Sequence, residues 1–210
     1  MIMRSCDLAM FHAVLMIHWR TTRVVGLTQE TRKTRCMLRL VALLGLMLMT
    51  ACTAKPNPEG PVLSDRQLNL EVFFNGKTKA YGQFQDLFGN ISSRFEVDIQ
   101  GLWDGRVLTL VEDFVYHDGR TEKRVWTLTK TGADTWTGTA PGVLGVATGV
   151  ERGDAFNWTY RIDLPVKDGT MRVVFDDWMW LISDDRLLNR AYVTRFGLRI
   201  GEVVIMFEKP

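Results

Sequence analysis

The chain has 210 residues, 46% of them hydrophobic and 24% charged, which excludes a chain too polar to collapse and fits one folded domain plus additional sequence. Its formal charge of +2 comes from residues 1–51, where seven basic residues stand against two acidic ones; from Cys52 onward 19 basic residues face 22 acidic ones. A mildly acidic domain without a basic run argues against nucleic acid as a partner, because that affinity comes mainly from neutralising phosphates.

Residues 1–36 carry no periodic pattern and precede a self-sufficient start at Met37. They read as an over-extended translation start, with a long cytoplasmic leader as the alternative. Residues 37–51 have a short basic start, an apolar run and small residues before a cysteine, the pattern of a secretory signal peptide. The run Leu40–Met49 is shorter than the ~20 residues a membrane-spanning helix needs. Its end, Leu48-Met-Thr-Ala-Cys52, resembles the lipobox of bacterial lipoproteins, which implies that Cys52 is lipidated and begins the mature protein. Thr53, standing where an Asp would retain the protein in the inner membrane, implies an outer-membrane lipid anchor facing the periplasm. Cys6 and Cys36 lie upstream, so no disulfide is expected in the mature domain.

Residues 52–61 form a tether, in which three prolines and a glycine deny helix and ladder hydrogen bonds. The capping-box spacing Ser64-Asp-Arg-Gln67 predicts a short helix from Asp65 to Phe74, with Leu68, Val72 and Phe73 closing one end of the domain built by the rest of the chain. Turn signals then recur at roughly ten-residue spacing, which predicts strands near 78–86, 91–103, 106–117, 120–130, 135–139, 143–152, 155–165, 170–182, 187–196 and 198–208. No intervening run is long enough for a parallel crossover. The fold class is therefore all-β, an antiparallel up-and-down meander over residues 62–210 that closes into a barrel to remove its edges.

Three Asp-Gly pairs, at Asp104-Gly105, Asp118-Gly119 and Asp168-Gly169, suggest two-residue hairpin turns from which partners are counted outward. The count places Ile99 opposite Leu110, Val97 opposite Glu112, Glu112 opposite Val125 and Asp113 opposite Arg124. It also places Tyr160 opposite Asp177, Trp158 opposite Met179 and Arg161 opposite Asp176. A turn at Asp184-Asp185 sets Asp177 opposite Tyr192 and diagonal to Arg190. Phe156, Trp158, Tyr160, Ile162, Phe175, Met179, Leu181 and Leu188 then form the interior, while Trp126, Trp178 and Trp180 face outward. A bulge at Pro165 would exchange the faces.

The segments Asp113-Phe-Val-Tyr-His-Asp-Gly119, Arg124-Val-Trp126, Phe175-Asp-Asp-Trp-Met179, Asn189-Arg-Ala191 and Phe196-Gly-Leu-Arg-Ile-Gly-Glu202 resemble those of the domain-of-unknown-function 3833 family, small Gram-negative lipoproteins. The resemblance covers essentially the whole mature chain and implies a lipoprotein with a lipocalin-like barrel. It carries over no catalytic residues. Gly101-Leu-Trp103 echoes the lipocalin Gly-x-Trp, but in the second strand rather than the first.

The mature chain offers little catalytic or metal-binding chemistry. Its one histidine, His117, sits beside a turn, and Ser64, Ser92, Ser93 and Ser183 have no histidine to activate them. No metal and no cofactor is implied. Adjacent carboxylates at Glu112-Asp113 and Asp176-Asp177 project to opposite faces of their strands and cannot act as dyads. Glu112 and Asp177 remain inside with Arg190, Tyr160, Tyr192 and Trp158, either as a satisfied ion-pair network or as an anchor for a ligand's headgroup. Asp113 with Arg124, and Arg161 with Asp176, are expected surface pairs. The functional expectation is a carrier of a small apolar or lipid-like ligand. The alternative is a non-enzymatic structural or interaction lipoprotein with a filled barrel, and an enzyme acting through Glu112 or Asp177 ranks third.

Overall fold

The computed structural model describes residues 37–39, 55–57, 60, 64–166 and 169–210. The chain divides into two units, Met1–Thr53 and Ala54–Pro210. In the first, only residues 37–39 are described, and they are helical. The leader, most of the signal peptide, Cys52 and much of the tether lie outside the described residues.

The second unit consists of one short helix, α1 (Leu70–Phe74), and ten strands: β1 (Gly76–Asp86), β2 (Ile91–Trp103), β3 (Val107–Tyr116), β4 (Thr121–Lys130), β5 (Thr135–Thr139), β6 (Ala147–Arg152), β7 (Ala155–Val166), β8 (Gly169–Ser183), β9 (Arg186–Arg195) and β10 (Leu198–Glu208). Each strand pairs antiparallel with the next, and β10 pairs with β1, so the meander is a closed barrel, as the sequence predicts. Alternation fixes which face turns inward: in β2, Val97, Ile99 and Gly101 are buried while Glu96, Asp98 and Gln100 are exposed.

The helix is shorter than the capping-box spacing suggests. Ser64 Oγ accepts a hydrogen bond from Arg66 N–H at 3.1 Å, a local turn, and Asn69 occupies the N-cap position without a side-chain bond. The first helical N–H, that of Leu70, instead donates to Glu151 Oε1 at 2.6 Å, so a buried carboxyl from β6 takes the capping role. Leu68 and Phe73 are buried as expected, joined by Leu70 and Phe74, but Val72 is 67% exposed and takes no part in closing the barrel. The seat of α1 is Gly101, where an added Cβ would lie 1.7 Å from the Phe74 carbonyl oxygen.

All ten predicted strands are present, but the turns differ from the two-residue count, and the parity of each difference decides the outcome. At the first hairpin the loop is Gly105-Arg106, with Gly105 at φ 101° and Asp104 Oδ1 accepting from Arg106 N–H and Val107 N–H. Ile99 therefore faces Glu112 rather than Leu110, a slip of two that preserves the faces. At the next hairpin the loop is three residues, His117 to Gly119, with Gly119 at φ 85° and Gly119 N–H donating to the Tyr116 carbonyl. Glu112 thus faces Arg124, Asp113 faces Lys123, and the odd slip turns Arg124 and Trp126 inward.

Between β7 and β8 the register slips by two, without a bulge at Pro165, so Trp158 faces Asp177, Tyr160 faces Phe175 and Arg161 faces Val174. Its turn residues 167 and 168 lie outside the described residues. Between β8 and β9 a bulge separates Leu181 from Ser183 and slips the ladder by one. Asp177 therefore faces Ala191, Asn189 turns inward, and Arg190, Tyr192 and Leu188 stand on the outer face.

Candidate functional site

The barrel encloses a cavity of about 280 Å³, bounded at one end by Leu70 and Phe74 of α1. Aromatic and aliphatic side chains make up most of its wall. Tyr160 stacks parallel on Phe175 at 5.2 Å, Trp126 meets Tyr160 edge-on at 5.1 Å and Trp158 at 5.7 Å, and Phe156 stacks on Trp158. Strands β5 and β6 are short, and among the described residues β4 has no β5 partner before Thr127. Beyond Thr159, β7 is covered by the loop ahead of β6, where Leu144 N–H donates to the Arg161 carbonyl and Val143 bridges Ile162. The rings of Trp126 and Tyr160 meet on the inner side of this shortened wall.

Set into this wall is a small polar group: Ser93, Glu112, Arg124, Tyr160, Asp177 and Asn189. Burial pushes the Glu112 carboxyl up to about 7, opposed by Arg124 and reinforced by Glu122. Burial likewise raises Asp177 to about 7, with the nearby Asn189 amide and Tyr160 hydroxyl pulling the other way. Glu112 and Tyr160 are half-buried and line the cavity. The Tyr160 phenol is raised well above its ordinary value, by burial first and then by Asp177.

Arg124 stays charged. Burial disfavours its cation, but Glu112, Tyr160 and Glu122 outweigh that effect. Its Nη2 donates to Glu122 Oε1 at 2.6 Å, and its guanidinium lies 4.9 Å from the centre of the Phe114 ring. Tyr116 donates to the other oxygen of Glu122 at 2.9 Å, so that carboxylate is fully engaged. Asn189, by contrast, is 1% exposed, and among the described residues neither its amide nitrogen nor its oxygen has a hydrogen-bond partner of regular geometry; nor does the buried Ser93 hydroxyl. Sites of this kind hold space and unspent hydrogen-bonding capacity together.

Of the side chains singled out from the sequence, Glu112, Tyr160, Asp177 and Trp158 converge on this cavity. Arg190 and Tyr192 do not. Arg190 donates to Glu202 from Nε at 2.9 Å and Nη2 at 2.7 Å on the barrel exterior, and Tyr192 lies there beneath Lys55, Arg190 and Arg199. The expected surface pairs are also replaced. Asp113 pairs with Lys123 at 2.8 Å, and Asp176 accepts from Lys55 and Asn157, each at 2.8 Å, with neither Arg124 nor Arg161 involved. Trp178 and Trp180 keep their outward placement and stack at 6.2 Å, while Trp126 belongs to the interior. His117 is a turn residue, its backbone N–H bonded to the Arg94 carbonyl at 3.0 Å. Cys52 lies outside the described residues.

A closed up-and-down antiparallel barrel around a cavity with a few convergent polar groups defines the protein as a small closed-barrel protein of lipocalin-like fold. One solved structure agrees with that fold. The S-type phycobiliprotein lyase CPES from Guillardia theta is similar over 68% of this chain and 93% of its own, at 10% identity and a TM-score of 0.50. Lower scores relate the chain to EF1p2_mFAP2b bound to DFHBI, at 10% identity and TM-score 0.38 over 66% of this chain and 95% of that one. A redesigned beta barrel gives 10% identity and TM-score 0.39 over 69% and 98%. No curated protein matches the sequence. The chain belongs to the family described as "Protein of unknown function (DUF3833)", which matches residues 46–209.

Proposed function

We propose that this protein binds one small, largely apolar ligand inside its barrel, and that it does so in the cell envelope, tethered to the outer membrane by a lipid on Cys52 and facing the periplasm. The observation that carries the reading is the cavity itself. Its volume of about 280 Å³ is nearly twice the ~150 Å³ that suffices for a benzene in an engineered protein cavity, and sits just below the range of drug-sized pockets. That space lies beside Asn189 and Ser93, whose side-chain polar atoms are without hydrogen-bond partners among the described residues. The lipid anchor rests on the signal pattern from Met37 to Cys52.

Native mass spectrometry of delipidated protein purified from its own host tests the ligand. The expected result is a co-purifying small molecule that disappears in Ala191→Phe, which projects a ring into the cavity. Absence of any adduct from the wild-type protein, together with failure to take up small apolar probes, would refute the reading. The anchor is tested separately: labelled palmitate is expected on the wild type and absent from Cys52→Ala, and equal labelling of both would remove it.

A further inference from the structure

We infer that the polar end of the ligand is an organic cation, a primary amine or quaternary ammonium on a small apolar body, seated against Asp177 and Glu112 among Trp126, Trp158, Tyr160 and Phe175. This rests on the ligand-binding reading above and adds the ligand's charge.

The charged groups around the cavity are unbalanced. Glu112 on β3 and Asp177 on β8 line it with a single guanidinium, Arg124 on β4, and that guanidinium is bonded at 2.6 Å to Glu122, which does not line the cavity. Among the described residues no ion pair reaches Glu112 or Asp177. The neighbouring Asp176 points outward and is held by Lys55 and Asn157. Asp177 is 7% exposed, and a buried carboxyl without a counter-charge is costly to ionise. Burial pushes both carboxyls up to about 7, so below that pH they hold a proton rather than a charge. A cation entering the cavity supplies the missing counter-charge, whereas an anion would meet two carboxyls and an arginine that already donates from Nη2 to Glu122.

Two further features favour a cation. Trp126, Trp158, Tyr160 and Phe175 line the cavity together with Asp177, and aromatic rings attract ammonium groups most strongly where water is excluded. Asn189 lines the cavity from β9 with an amide oxygen that has no donor, an acceptor suited to an ammonium N–H. A neutral alcohol would satisfy Asn189 but leave the carboxyls uncompensated.

The test titrates the full chain with octylammonium, octanol and octanoate, read by calorimetry and by the fluorescence of Trp126 and Trp158. Octylammonium is expected to bind about tenfold more tightly than octanol, with octanoate weakest. Asp177→Asn should bring octylammonium close to octanol. Octylammonium affinity should also rise severalfold from about pH 6 to about pH 8, because binding displaces protons from Glu112 and Asp177, whereas octanol affinity should not. Equal binding of the three probes, or a preference for octanoate, would overturn the cation and leave the ligand-binding reading standing. No binding by any of them would overturn both. Should Asp177→Asn fail to fold, Glu112→Gln read by the same pH profile decides: an unchanged slope refutes the inference and a diminished one supports it.

Discussion

Glu112 stands directly opposite Arg124 in the β3–β4 ladder, yet the guanidinium bonds Glu122 on its own strand, at 2.6 Å, and among the described residues Glu112 has no ion pair. That arrangement makes stability depend on pH in an unusual direction. Glu112 and Asp177 are raised to about 7 in the folded barrel, against ordinary values of 4.5 and 3.8. The native state therefore holds protons that the unfolded chain has already lost. Their stabilising effect is fully present below about pH 4 and fades as pH rises through about 7. Burial raises Glu151 as well, with the same sign. The surface carboxylates Asp86, Asp104, Asp118, Asp163 and Asp185 are lowered, so they act at acid pH, outside this window. Denaturant unfolding is expected to show stability falling from about pH 5 to about pH 8, by up to roughly 3 kcal/mol for each interior carboxyl. Glu112→Gln and Asp177→Asn should each flatten the slope. Stability that climbs across the interval would contradict the assignment.

The hairpin after β3 is open to a direct test of register. Asp113 and Lys123 form an ion pair at 2.8 Å, with side chains 53% and 63% exposed. A double-mutant cycle of Asp113→Ala with Lys123→Ala should give a coupling of about 1 kcal/mol or less that weakens in salt. The same cycle with Arg124→Ala should show no coupling, because Arg124 lies on the other face of the strand. Coupling between Asp113 and Arg124 would mean a two-residue loop in place of the three-residue one.

Strand number and closure were legible because alternation and turn residues are local signals. Loop length is less so, since an Asp-Gly pair suits both a two-residue turn and a three-residue loop whose last residue is a left-handed glycine. Slips of two at Gly105-Arg106 and between β7 and β8 left the faces unchanged, which is why Glu112, Tyr160, Trp158 and Asp177 fall where the pattern puts them. The odd slips at His117–Gly119 and at the β8 bulge exchanged faces, bringing Arg124, Trp126 and Asn189 in and leaving Arg190 and Tyr192 out. Parity, not composition, hid half of the site. The Arg124-Val-Trp126 spacing did hold one clue, for it puts Arg124 and Trp126 on one face, and a tryptophan there is more economically buried than exposed.

Gly101 should resist the smallest substitution. An added Cβ would meet the Phe74 carbonyl oxygen at 1.7 Å and the Leu110 side chain at 3.3 Å, and the first of these is backbone that no rotamer can move. Gly101→Ala must therefore displace α1, whose Leu70 and Phe74 bound the cavity. Overpacking of this kind costs about 1–3 kcal/mol. Amide hydrogen exchange is expected to rise at the Phe73 and Leu70 N–H groups before the barrel strands are affected. A substitution that is neutral both in stability and in exchange would place α1 elsewhere.

The β9–β10 turn should yield to the opposite operation. Phe196 and Gly197 link Arg195 to Leu198 with positive φ at both, 52° and 79°, which is the pattern of a type I′ turn. Among the described residues Phe196 is the one non-glycine in that region, and its ring is 90% exposed, with the Arg195 guanidinium 5.0 Å away. A left-handed conformation costs a bulky residue roughly 1–2 kcal/mol, and asparagine tolerates it. Phe196→Asn is therefore expected to raise the melting temperature by about 2–4 °C. Phe196→Ala separates the two contributions, because it removes the ring but keeps a residue that resists positive φ. If asparagine and alanine prove equal, backbone strain is not the controlling term; if both destabilise, the exposed ring makes a contact worth more than the strain it imposes.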